Sequence, residues 1–158
     1  MSDIIIYTDG AAKGNPGKGG YGAVLLAGKH RKEISEGFEL TTNNRMELLS
    51  VIKALELIKT VPSNVQVFSD SKYVVDAVEK SWVFNWEKKG FAKKKNVDLW
   101  KRFLLVYRKH NVSFHWIKGH DGNVLNERCD LLAVNASNGP DLKKDHGYLS
   151  SKEENTLF

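Results

Sequence analysis

Asp9 closes a run of β-branched and aromatic residues, Ile4-Ile5-Ile6-Tyr7-Thr8, and opens a turn-rich loop, Gly10-Ala11-Ala12-Lys13-Gly14-Asn15-Pro16-Gly17. An ionised carboxylate in or beside an apolar strand is costly unless a cation or several donors meet it. Asp9 therefore reads as the hub of a metal site to which later segments bring further carboxylates. Asp70 is the first candidate, since it follows a second short apolar run, Val65-Gln66-Val67-Phe68. Carboxylate oxygens are hard ligands of the kind Mg²⁺ prefers. A second constellation lies in mid-chain, where Trp82, Trp86 and Phe91 are interleaved with Lys88, Lys89, Lys93, Lys94 and Lys95. Lysines make salt-sensitive phosphate contacts, and aromatic rings pack on sugars or bases. The plainer alternative is that both tryptophans are core residues beside an ordinary charged surface.

The elements that must hold these residues can be traced along the chain. Residues 4–8 read as a mid-sheet strand with apolar neighbours on both faces. Tyr21 to Leu26 and the region from Arg31 to Phe38 read as two more strands, joined by short Gly-containing connections into an antiparallel meander. Thr41-Thr42-Asn43-Asn44 is a helix start, followed by Leu48, Leu49, Ile52, Leu55 and Ile58 at helical spacing. The strand at residues 65–68 is reached across that helix, so it is expected to run parallel to the first. If the two are neighbours, about 4.8 Å separates their backbones, and Asp9 and Asp70 come within reach of one ion. A short helix through Tyr73 and Val78, a helix over Val97–Tyr107, a strand over Val112–Trp116 and a helix from Asn126 to Ala136 complete the pattern.

Composition sets outer limits. At 158 residues the chain fits one domain with a sizeable core. Its formal charge of +5 admits a polyanionic partner without demanding one. One cysteine, Cys129, leaves no internal disulfide and no thiolate-rich zinc site. No apolar run approaches the roughly 20 residues of a membrane span, and Met1-Ser2-Asp3 lacks the basic start of a secretory signal. The expected compartment is the cytoplasm.

Four motifs stand together: Tyr7-Thr8-Asp9-Gly10-Ala11, Thr42-Asn43-Asn44-Arg45-Met46-Glu47, Ser69-Asp70-Ser71-Lys72-Tyr73-Val74, and Gly119-His120 with Asn126-Glu127-Arg128-Cys129-Asp130. In this order the set closely resembles bacterial type 1 ribonuclease H over roughly residues 4–148. The resemblance implies an α/β ribonuclease H-like fold: a mixed five-stranded sheet flanked by helices, strands 1–3 antiparallel and 4 and 5 parallel to 1. It implies that Asp9, Glu47, Asp70 and Asp130 hold two Mg²⁺ ions with substrate bound (Mn²⁺ a possible substitute), Asp9 bridging both, and that His120 is the mobile catalytic histidine. The implied reaction is endonucleolytic cleavage of the RNA strand of an RNA–DNA hybrid, leaving 3′-hydroxyl and 5′-phosphate ends. Such hydrolysis needs a water nucleophile, relief of transition-state charge and a stabilised leaving alkoxide, which a pair of divalent ions can supply.

The resemblance also implies substrate contacts. Asn15, Asn43 and Asn44 match minor-groove positions, Thr42 a DNA-phosphate contact, and Trp82 a ring packed on deoxyribose. Lys72, Trp86 and the five lysines between residues 88 and 95 join them, although the stretch between Gly90 and Asn96 is shorter than in longer bacterial versions. Each acid has a plainer reading. Glu47 sits at capping-box spacing from Asn44, Asp70 could cap the helix starting at Ser71, Asp130 could lie on an exposed helix face, and Asp9 in a turn. A loop histidine such as His120 can be merely solvated.

Two other functions compete: a non-catalytic hybrid- or duplex-RNA-binding module on the same fold, and a transposase- or integrase-like core, for whose extra domains the chain has no room. The expected unit is a monomeric domain over residues 1–148, with a flexible polar tail over 149–158. The terminal Leu157-Phe158 pair matches sliding-clamp-binding peptides poorly, and the tail is read as inert.

Overall fold

A β-branched run alternating between two environments builds the central strand, and its neighbours follow from chain order. The protein is seen here as a computed structural model describing residues 2–156, with side chains described for 3–152. The elements are β1 (Ser2–Lys13), β2 (Gly17–Ala27), β3 (His30–Thr41), α1 (Asn43–Glu56), β4 (Ser63–Ser69), α2 (Lys72–Glu79), α3 (Trp82–Lys88), α4 (Val97–Tyr107), β5 (Asn111–Trp116), α5 (Val124–Asn138), β6 (Leu142–Lys143) and α6 (His146–Thr156).

The sheet order is β5-β4-β1-β2-β3-β6. β1, β2 and β3 form the expected antiparallel meander, while β4 runs parallel to β1 and β5 parallel to β4. The strand count is corrected from five to six: β6 pairs in parallel with Gly37 and Phe38 of β3. A two-residue strand carries no alternation, so no periodic signal announces it. Residues 146–156, within and just before the stretch read as a polar tail, form α6; Leu157 and Phe158 lie outside the described residues. No helix among the described residues is long and apolar enough to cross a membrane.

Successive side chains leave a strand on opposite faces, and β1 uses both for docking. Gly10 faces α1: a Cβ there would fall 2.4 Å from the Met46 carbonyl carbon. On the other face Asp9 pairs with Gly22 of β2, where a Cβ would fall 2.5 Å from the Cys129 oxygen of α5. Two absent side chains thus let a helix close on each side of the strand that carries Asp9. The core between the sheet and α1 contains Ile6, Ala23, Val65, Val67, Leu48 and Ile52, all essentially inaccessible. Ile5, expected to have apolar cover, is 38% exposed, because it points to the face that α5 covers only in part.

Candidate metal centre

Thr8 of β1 lies beside Ser69 of β4 in parallel register, so the chains leaving these residues deliver Asp9 and Asp70 to the same end of the sheet. The turn after β4 is fixed locally. The Ser69 hydroxyl oxygen accepts from the Ser71 amide at 3.0 Å, and Ser71 caps α2 by accepting from Val74 N at 3.3 Å. Asp70 is therefore not the cap, and its carboxylate is free for the site. Glu47 is not half of a capping box either. Thr42 caps α1, its hydroxyl oxygen accepting from Arg45 N at 3.3 Å, and Glu47 sits one turn further on, buried above Gly10.

Oxygens of Asp9, Glu47 and Asp70 all lie within 4.8 Å of one another. Three carboxylates this close repel, and two are buried, Asp9 7% and Glu47 8% exposed. Burial first and the Asp70 charge second push the Asp9 carboxyl up to about 7, with Asp130 adding to the effect, against the lowering hydrogen bonds from Glu47 and from Gly10 N (2.9 Å). Glu47 is driven well above the usual carboxylate range by burial and then by the charges of Asp9 and Asp70. Its Oε1 is buried with no hydrogen-bond partner. An orphaned buried oxygen amid crowded acids calls for a cation, and the all-oxygen donor set suits a hard divalent ion.

The fourth acid stands slightly apart. Asp130, on α5 next to the buried Cys129, is half-buried and close enough to act on Asp9, but is not among the three mutually close carboxylates. His120 is exposed, in left-handed backbone with φ 54°. Its loop reaches the site through Gly119, where a Cβ would lie 2.7 Å from Asp70 Oδ2.

Two supports of Asp70 carried no advance signal. The buried Asn126 donates its side-chain Nδ2–H to Asp70 Oδ2 at 3.3 Å, and Trp116 donates its indole N–H to the Asp70 carbonyl at 3.2 Å. An asparagine in a helix first turn, as Asn126 is, reads as a solvated residue until the fold brings it to a strand end.

The residues expected to contact substrate are held as follows. Asn15 Oδ1 accepts from Asn43 N at 3.1 Å, and Asn43 Oδ1 accepts from Ala12 N at 2.5 Å, which ties the β1–β2 loop to the start of α1. Asn44 is exposed. Lys72 Nζ stands 4.7 Å from the Trp116 ring centroid. The two tryptophans part company. Trp82 is 43% exposed, whereas Trp86 packs on the core, edge-on to Trp100 at 5.7 Å, with Lys94 Nζ 5.0 Å from its centroid. Lys88, Lys89, Lys93, Lys94 and Lys95 are all exposed.

Comparison with known proteins gives one consistent picture. The RNase H family model matches residues 1–138. The chain is 51% identical over 152 residues to the Ribonuclease H of Trichodesmium erythraeum, covering 93% of this chain and 96% of that one. It is 52% identical over 153 residues to that of Syntrophus aciditrophicus, covering 94% and 88%. Among solved structures, LC9-RNase H1 superposes with a TM-score of 0.81 at 30% identity, over 89% of this chain and 74% of that one. LC11-RNase H1, solved in complex with an RNA/DNA hybrid, has a TM-score of 0.66 at 28% identity, over 85% and 96%.

Proposed function

This chain belongs to the ribonuclease H family, and from that premise we propose that it hydrolyses the RNA strand of RNA–DNA hybrids internally, leaving 3′-hydroxyl and 5′-phosphate ends. The observation that carries the reading is the convergence of Asp9, Glu47 and Asp70 within 4.8 Å. Asp9, Glu47, Asp70 and Asp130 would hold two divalent ions, Mg²⁺ or in its stead Mn²⁺. When bound, the ions would supply an activated water, charge relief at phosphorus and a stabilised leaving oxygen.

The chain's own residues do the rest. Asn126 and Gly119 orient and crowd the Asp70 carboxylate. His120, on an exposed loop beside Asp70, passes a proton to the leaving 3′-oxygen or helps product depart. Asn15, Asn43 and Asn44 line the approach to the minor groove, where 2′-hydroxyls mark the RNA strand. Thr42 takes a DNA phosphate, Trp82 packs on deoxyribose, and Lys72 with the lysines of residues 88–95 holds phosphates, assisted by Trp86. Residues 1–148 act as one monomeric catalytic unit in the cytoplasm, with 149–158 as an appendage.

The test is a Mg²⁺ titration against labelled RNA–DNA hybrid, double-stranded RNA, double-stranded DNA and single strands. Cleavage of the hybrid's RNA strand alone is expected, and it should vanish in Asp9→Asn. Tight hybrid binding by the wild type without turnover would instead identify a non-catalytic binding module and overturn the proposal.

A further inference from the structure

Arg45 is 3% exposed and lies two residues before Glu47. Its Nε and Nη2 donate to Asp145 at 2.7 and 2.9 Å, its Nη1 and Nη2 donate to Asp98 at 2.8 and 2.7 Å, and Nη1 reaches Asn96 Oδ1 at 3.4 Å. From Asn96 the network continues: its Nδ2 donates to the Tyr73 hydroxyl at 3.1 Å, which also accepts from the Trp100 indole at 2.8 Å. Both carboxylates are gripped bidentately by one planar fork, the arrangement that fixes angle as well as distance.

The elements joined are the ones whose relative placement matters for the proposed reaction. Arg45 is in the first turn of α1, between the Thr42 cap and Glu47. Tyr73 is on α2, three residues after Asp70. Asn96 and Asp98 open α4 immediately after the lysines of residues 88–95. Asp145 stands just before α6 and also accepts from the Thr41 hydroxyl at 2.7 Å. Arg45 and Asp145 are buried while Asp98 is 47% exposed, and an ion network of this kind is a weak source of net stability compared with apolar packing of similar volume. Its distinctive product is geometry.

We propose that Arg45 is a positioning residue which, through Asp98, Asp145 and Tyr73, sets the register of the lysine-bearing segment against the Asp9–Glu47–Asp70 carboxylates, and so sets where along a hybrid the cut falls. This rests on the hybrid-cleaving reading above. Loosening the network leaves the reacting groups in place but lets the gripping segment shift along the duplex.

The experiment uses Asp98→Asn and Tyr73→Phe in the full chain, both close to isosteric, on an end-labelled hybrid of defined sequence in Mg²⁺. KM is expected to rise about 5- to 20-fold with kcat held within about twofold, the split expected when binding rather than chemistry is disturbed. The ladder of cut positions should spread or move by at least one nucleotide. Arg45→Met, which replaces the charge by an apolar chain, should give the same moved ladder if its melting temperature stays near that of the wild type. An unchanged ladder with unchanged KM in Asp98→Asn and Tyr73→Phe overturns the proposal, as does a fall in kcat at constant KM. Wild type that fails to cut any hybrid defeats the underlying reading instead; wild type that cuts while the variants match it defeats only this one.

Discussion

Gly10 lies so close beneath α1 that a Cβ on it would fall 2.5 Å from the backbone nitrogen of Glu47. Strand and helix touch backbone to backbone at the point where the helix contributes its carboxylate. Gly10→Ala must push α1 away and carry Glu47 with it. Overpacking at such a contact costs about 1–3 kcal/mol. Displacement of a reacting group by about 1 Å is worth about 100-fold in rate. Calorimetry and hybrid cleavage should therefore show a folded, weakened protein with a disproportionate loss of kcat; near-normal kcat would mean that Glu47 does not depend on this contact.

Crowding of Asp9, Glu47 and Asp70 makes the cation-free protein less stable than it could be. Asp9→Asn removes one of three mutually repelling groups and should stabilise the protein in a chelator by about 1–3 kcal/mol while abolishing cleavage. Added Mg²⁺ should raise the melting temperature of the wild type, by mass action on the folded state, and that of the variant much less. Equal responses of the two proteins to Mg²⁺ would dissociate Asp9 from cation binding.

Two tryptophans four residues apart should have opposite phenotypes. Trp86 packs on the core beside Trp100, so Trp86→Ala should cost about 2–4 kcal/mol in denaturant unfolding, somewhat less than a fully buried ring. Trp82 is largely exposed, so Trp82→Ala should change stability by under about 0.5 kcal/mol yet raise KM for hybrid about tenfold. Loss of stability in Trp82→Ala without a change in KM would reverse its assignment.

His110 links the chain just before β5 to the start of β4: its Nδ1 accepts from Ser63 N at 3.0 Å, which requires the unprotonated nitrogen. Burial, then the neighbouring Lys109 charge, hold its pKa below the ordinary 6.5. The folded protein thus takes up this proton at lower pH than the unfolded chain does. The contribution is whole above pH 6.5 and declines as pH falls below it toward the folded value. In thermal melts the advantage of wild type over His110→Asn should shrink between pH 7.5 and pH 5; a constant gap would show that the imidazole proton is not involved.

Strand directions were legible because they follow from local pattern and connection length, whereas sheet order was not. β-branched runs named the strands, and an intervening helix made β4 parallel to β1 the expectation; that the two are neighbours, which brings Asp9 and Asp70 together, is what the structure adds. The start of α1 is announced by Thr41–Asn44 but its cap is not, since Thr42, Asn43 and Asn44 are all competent caps and only backbone geometry chooses Thr42 among them. β6 escaped notice for want of length. The grip of Asp145 on Arg45 spans 100 positions in the chain, and the support of Asp70 by Asn126 spans 56. Spacing rules act over a turn or a pleat and are blind at such ranges.

β6 covers β3 only at Gly37 and Phe38, which leaves the backbone of His30 to Glu36 at the rim of the sheet without a strand beyond it. That rim carries Arg31, Lys32, Glu33 and Glu36, ionic side chains of the sort that discourage docking of a foreign strand. The apolar Phe38, by contrast, sits where β6 shields it. A chain cut short at residue 141 would bare the backbone of Gly37 and Phe38 on that rim, and its tendency to form oligomers on storage should rise accordingly.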